Sequence, residues 1–159
     1  MIDDAVMVEM APAGDLIALD LWAGALPPAF GDVPMMRVEP TRWWLIGASG
    51  RLGELASLIG DKGALTPMGG GLMRATLIGP GWRSLLGVSG VFDAEGPQCA
   101  AGAVVATVIH HVPVWIAPQH DGACRLYVAA SYAEGLIELW RATIGHLKVR
   151  LSTGPAGET

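Results

Sequence analysis

A chain of 159 residues and 16.5 kDa holds about one domain, or two small subdomains sharing a core. Hydrophobic residues make up 52% and charged ones 16%, against about 25% charged in an average soluble domain, so part of the surface must be apolar and suited to a protein partner. The net charge of -5, the pI near 5.2 and the lack of any Lys/Arg cluster exclude the electrostatic grip that nucleic-acid binding requires.

The N-terminus, Met1-Ile2-Asp3-Asp4, carries acid where a secretory signal needs positive charge, and no apolar stretch follows. With only two cysteines, Cys99 and Cys124, a reducing cytoplasm is expected. The first predicted strand is Leu16 to Trp22, followed by a Pro/Gly-rich loop from Gly24 to Pro34 that suits a mobile or partner-covering segment. A short strand Met35 to Val38, a break at Pro40 and a strand Arg42 to Ile46 come next. Leu52, Leu55, Ala56 and Ile59 then recur at helical spacing, predicting a helix from about Arg51 to Ile59, with Ser49 as N-cap and Gly60 as its end.

After Gly69-Gly70-Gly71, residues Leu72 to Ile78 alternate, with Met73, Ala75 and Leu77 on one face and Arg74 and Thr76 on the other, as in a half-buried strand. Pro80 fits a first helical turn, and Trp82, Leu85 and Leu86 form the apolar side of a second helix. Strands Val104 to Ile109, Val112 to Ala117 and Cys124 to Ala129 follow, the last pair joined across Asp121-Gly122. Ser131 and Glu134 have capping-box spacing at the head of a final helix, in which Tyr132, Leu136, Leu139, Trp140 and Thr143 share a face. The fold class expected is α+β, with small antiparallel or mixed sheets and helices packed on one face.

The sharpest chemical motif is Gly47-Ala48-Ser49-Gly50-Arg51-Leu52-Gly53, which follows a strand, opens a helix and resembles the phosphate-binding turn of short-chain dehydrogenases. Gly47, Gly50 and Gly53 would let a backbone approach NAD(P). The pattern also needs an acidic residue about 20 positions on, where Leu65-Thr66-Pro67-Met68 stands instead, and no Tyr-x-x-x-Lys pair is present. A plain strand-to-helix turn is favoured. His110 and His111 are placed side by side on a strand with side chains on opposite faces, and with Cys99 and Cys124 they show no zinc-site spacing. No serine lies in a nucleophile elbow, and Asp93 with Glu95 serves a solvated loop better than acid/base chemistry. No catalytic, cofactor-binding or metal residue is therefore assigned. The six tryptophans divide between buried positions and anchors for a partner. The one long uncharged stretch, Gly96 to His120, contains three prolines and suits buried strands, so no membrane span is predicted.

Two groups of residues carry a family resemblance. Trp43-Trp44-Leu45-Ile46-Gly47, then Arg74-Ala75-Thr76-Leu77-Ile78-Gly79-Pro80-Gly81-Trp82, then Leu85-Leu86 form the first; Ala106-Thr107, His111-Val112-Pro113-Val114, Leu126-Tyr127-Val128 and Ser131-Tyr132-Ala133-Glu134 form the second. Together, across roughly residues 40 to 145, they resemble the gamma subunit family of heterotetrameric sarcosine oxidase. The resemblance implies a fold similar to the folate-binding aminomethyltransferase domains. It implies an architectural, noncatalytic subunit seated against the large alpha subunit of a flavoprotein complex, alongside beta and delta subunits. That complex oxidatively demethylates sarcosine or a related N-methylated amine, with FAD, FMN, NAD and tetrahydrofolate held by the partner subunits. The alternative it leaves open is a stand-alone folate-binding aminomethyl transferase domain. Thr66-Pro67-Met68-Gly69-Gly70-Gly71 stands where relatives carry an Asp-x-Ser segment, which weighs against a folate site in this chain, and an N-terminal segment of the family looks shortened. The organisation expected is an N-terminal strand and Pro/Gly-rich extension over 1–40, the gamma-like α+β domain over 41–147 and a disordered tail over 148–159.

Overall fold

The computed structural model describes residues 5–28, 30–90 and 93–152. Among these residues, ten strands and three helices follow one another along the chain. They are β1 (Met7–Pro12), β2 (Leu16–Leu21), β3 (Met35–Glu39), β4 (Arg42–Ile46), α1 (Leu52–Ile59), β5 (Gly63–Gly69), β6 (Leu72–Ile78), α2 (Trp82–Ser89), β7 (Val105–Ile109), β8 (Val112–Pro118), β9 (Cys124–Ala129), α3 (Ala130–Thr143) and β10 (Lys148–Leu151). The chain divides into two compact units, one of Ala13–Gly71 and one of Met1–Pro12 with Leu72–Thr159. The boundary is thus not at residue 40: the first strand returns to the C-terminal half.

The unit of Ala13–Gly71 is a four-stranded sheet in the order β3-β4-β2-β5 with every neighbouring pair antiparallel. Ile17, Leu19, Leu21, Trp43 and Leu45 close on Leu55 and Ile59 of α1, the apolar stripe that the spacing predicts. Of the other two stripe positions Leu52 is half-buried and Ala56 exposed. The predicted Ser49 cap is not formed, because Ser49–Arg51 make a 3-10 turn and Arg51 takes the N-cap position. In the 24–34 loop, Phe30 is buried in this core and Asp32 pairs with Arg51, so the described part of that loop is anchored to its own unit. β5 is not foreshadowed by its residues: Pro67 argues against a strand, and the sheet accepts it because β5 is an edge strand with a register shift against Leu16 and Ile17.

The second unit is a six-stranded sheet in the order β10-β1-β6-β9-β8-β7, antiparallel throughout except for the β1–β10 pair. Val8, Met10, Ala75, Leu77, Leu126, Val128, Val114 and Ile116 form one face, and Leu85, Leu86, Leu136, Ile137 and Trp140 from α2 and α3 cover it. β10 corrects the expected tail: Lys148 to Leu151 lie parallel to Met7 to Met10, which hold the segment by backbone hydrogen bonds. Residues 153–159 lie outside the described residues.

His110 and His111 are not strand residues but the two-residue turn between β7 and β8, with φ of 46° and 69°. The capping box does not form, because β9 passes straight into α3 with extended Ala129 as N-cap, leaving Ser131 inside the first turn. The buried face of α3 accordingly shifts to Ala133, Leu136, Ile137 and Trp140, and Tyr132 is 49% exposed. Pro80 also stands one residue before the N-cap Gly81, outside the first turn of α2.

Candidate functional site

A groove of the second unit forms where β6 ends and α2 begins. Gly79 makes the bend at φ +114°, and a Cβ there would collide with the Ala5 carbonyl oxygen, so only glycine fits. Trp82 then enters the helix 5% exposed, and its indole Nε1 donates to the Gly122 carbonyl at 2.9 Å, tying the helix to the turn between β8 and β9. Asp121 stabilises that turn by accepting the Ala123 N–H on Oδ1 at 3.0 Å. The result is an open groove of about 410 Å³ lined by Thr76, Ile78, Pro80, Trp82, Asp121 and Ala123, with Gly79 and Gly122 between them. Gly79-Pro80-Gly81-Trp82 and Asp121-Gly122 stood out in the sequence for separate reasons, and the fold brings them together. The groove offers one carboxylate and one hydroxyl on an apolar wall, a set suited to holding an apolar group rather than to acid/base or nucleophilic chemistry.

Behind Trp82 the Arg83 guanidinium lies 4.3 Å from the indole centroid and donates to the Cys99 carbonyl at 3.1 Å and to the Ala94 carbonyl. The loop of Asp93 and Glu95 is local structure, with Asp93 Oδ1 accepting the Glu95 N–H at 3.0 Å. Cys99 and Cys124 are both buried thiols. Burial pushes the Cys99 pKa up and that of Cys124 up to about 12, which keeps both thiols protonated and unreactive. Among the described residues, no group of three or more His, Cys, Asp or Glu is placed to hold a metal ion.

The glycine-rich turn after β4 has the wrong surroundings for a dinucleotide. β4 has antiparallel neighbours on both sides, so β4 and β5 run in the same direction with β2 between them, unlike the adjacent parallel strands that create a phosphate crevice. Arg51 is already held by Glu54 at 2.9 Å and Asp32 at 3.1 Å. The hydrogen bond and charge of Arg51 keep the Glu54 carboxyl below the usual carboxylate range, placing a negative charge in the first turn, where a pyrophosphate would sit. Gly47, Gly50 and Gly53 have open space where a Cβ would stand, and α1 and β5 instead bound an apolar groove of about 260 Å³ lined by Leu52, Ala56, Ile59 and Leu65.

Four of the six tryptophans, Trp43, Trp44, Trp82 and Trp140, are buried, Trp115 is half-buried and Trp22 is 55% exposed. Leu26, Val88 and Leu151 are also exposed, at 83%, 67% and 69%. Among the described residues, no helix is long and apolar enough to cross a membrane.

No family model and no curated protein matches the sequence. Solved structures match the fold. A chain of heterotetrameric sarcosine oxidase from Corynebacterium sp. U-96, determined with pyrrole 2-carboxylate, superposes with a TM-score of 0.70 at 17% identity over 85% of this chain and 81% of its own. The glycine cleavage system aminomethyltransferase T from Bartonella henselae superposes with a TM-score of 0.67 at 13% identity over 92% of this chain and 48% of its own, so this chain spans about half its length. The fold is α+β and aminomethyltransferase-like.

Proposed function

We propose that this chain is the small, gamma-type subunit of a flavin-dependent complex that oxidatively demethylates sarcosine or a related N-methylated amine. The observation that carries the proposal is the likeness in fold to a chain of heterotetrameric sarcosine oxidase, which superposes with a TM-score of 0.70 over 85% of this chain and 81% of its own. Two features of the chain support the same role. Large apolar side chains such as Trp22, Leu26 and Val88 are left exposed, as on a surface that a partner covers. The groove beside Trp82 offers one carboxylate and one hydroxyl on an apolar wall, a set suited to holding an apolar group, in keeping with chemistry carried by other subunits. In this role FAD, FMN, NAD and tetrahydrofolate sit in the partner subunits, and the chain contributes structure to the alpha subunit against which it packs.

The second reading, a one-carbon domain that binds folate by itself, draws on the likeness to the aminomethyltransferase over 92% of this chain. Thermal unfolding of the isolated chain with tetrahydrofolate separates the two. The subunit role gives no shift of the midpoint and binding of a hydrophobic dye to the uncovered surface; a saturable rise of the midpoint assigns folate to this chain.

A further inference from the structure

The face of the six-stranded sheet opposite α2 and α3 carries a row of charged side chains beside Tyr127, which is 1% exposed and stands opposite Arg74. Strand register sets Arg150 beside Glu9, Glu9 beside Thr76, and Thr76 beside Arg125, in one row across β10, β1, β6 and β9. Arg74, two residues before Thr76 on the same face, is the diagonal neighbour of both Arg125 and Glu9. Three arginines therefore share one carboxylate, and that carboxylate is engaged at 3.1 Å by Arg150. Arg125 has no ion-pair partner among the described residues. Arg74 is half-buried, and its Nε is buried without a hydrogen-bond partner. In a chain of net charge -5 this is a local inversion of sign.

We propose that Arg74 and Arg125 form a binding site for an oxyanion, a carboxylate or phosphate group, with the Thr76 hydroxyl as a further donor. A buried donor without a partner forfeits its hydration and gains nothing in return, and like charges on diagonal neighbours repel, so the empty arrangement is unfavourable on both counts. An oxyanion restores the bond to Nε and neutralises the pair, and the planar guanidinium fork matches the two oxygens of such a group. Burial, and after it the charge of Arg125, pull the Arg74 pKa down, while Tyr127 and Glu9 offset this in part, in keeping with a cation short of counter-charge. The β10–β1 end of the row is open to solvent, with the Arg150 and Glu9 side chains 69% and 37% exposed, which leaves an approach for the ion. Thr76 also lines the groove beside Trp82, so a molecule whose apolar part occupies that groove can present its charged end to the arginines. The site does not depend on the subunit role.

Nitrogen-15 spectra of the full chain test this through the arginine Nε–Hε resonances, titrated separately with inorganic phosphate and with acetate at an ionic strength held constant with chloride. The expected result is a saturable shift at Arg74, with the Arg51 resonance, already paired with Glu54 and Asp32, unmoved. Loss of one charge-assisted contact in Arg125→Gln should weaken the apparent Kd about tenfold. Saturation by phosphate alone assigns a phosphate group, by acetate alone a carboxylate, and by both a general oxyanion site. A shift that grows linearly, or that Arg51 shows equally, overturns the proposal, and the wild-type titration decides this even if the variant does not fold.

Discussion

The indole Nε1 of Trp140 donates to the Ser89 hydroxyl at 3.3 Å, and that hydroxyl donates to the Leu85 carbonyl at 2.7 Å. Trp140 is 0% and Ser89 6% exposed, so this short chain of bonds ties α3 to α2 inside the core beneath the six-stranded sheet.

Ser89→Ala leaves the Trp140 N–H buried without an acceptor and should cost about 1–3 kcal/mol in urea unfolding. Trp140→Phe on that background should add less than it costs alone, because the orphaned donor goes with it. Additive costs in the double-mutant cycle would show that the bond contributes nothing.

The turn of His110 and His111 has both central residues at positive φ, the geometry of a type I′ hairpin that favours an asparagine followed by a glycine. His110→Asn combined with His111→Gly relieves two strained backbones. The double variant should gain about 0.5–1 kcal/mol, and a loss of stability would mean that the imidazoles make contacts worth more than the strain.

Gly79 combines φ +114° with a Cβ position blocked by the Ala5 carbonyl. Gly79→Ala should therefore destabilise by about 1–3 kcal/mol from backbone strain alone, with the clash added to it, read as a drop in the thermal midpoint. A wild-type midpoint would contradict the described bend.

Burial raises the Cys124 pKa to about 12, against about 8.5 for a thiol in an unfolded chain. The folded state thus holds a proton that the unfolded state releases. This contribution is fully present below about pH 8.5 and declines as the pH rises toward 12. Midpoints measured at neutral and alkaline pH should fall less steeply in Cys124→Ala than in the wild type, and equal slopes would place the thiol in water. Native Cys124 should also resist thiol reagents until the chain unfolds.

Alternation and helical spacing made much of the fold legible. β4, β6 and β9 have the bounds that the residues predict, and α1 stops at Gly60 as expected. What escaped was decided by distant pairing. β1 and β10 are short segments whose strand character comes from pairing with each other and, for β1, with β6, and β5 tolerates Pro67 only because an edge strand does not need that N–H. Ser131 and Glu134 carry a correct local signal that the direct passage of β9 into α3 overrides. The groove was half visible, since its glycines and Trp82 were marked in the sequence but their meeting with Asp121 was not. The arginine row was invisible, because Glu9, Arg74, Arg125 and Arg150 are scattered along the chain and only register aligns them.

The subunit role is tested most directly by capturing the tagged chain from its native cells at low salt, then identifying the co-purifying proteins and recording the visible spectrum of the eluate. The subunit role gives a stoichiometric flavoprotein partner and a flavin absorbance band that tracks the complex. A colourless chain recovered alone would contradict it.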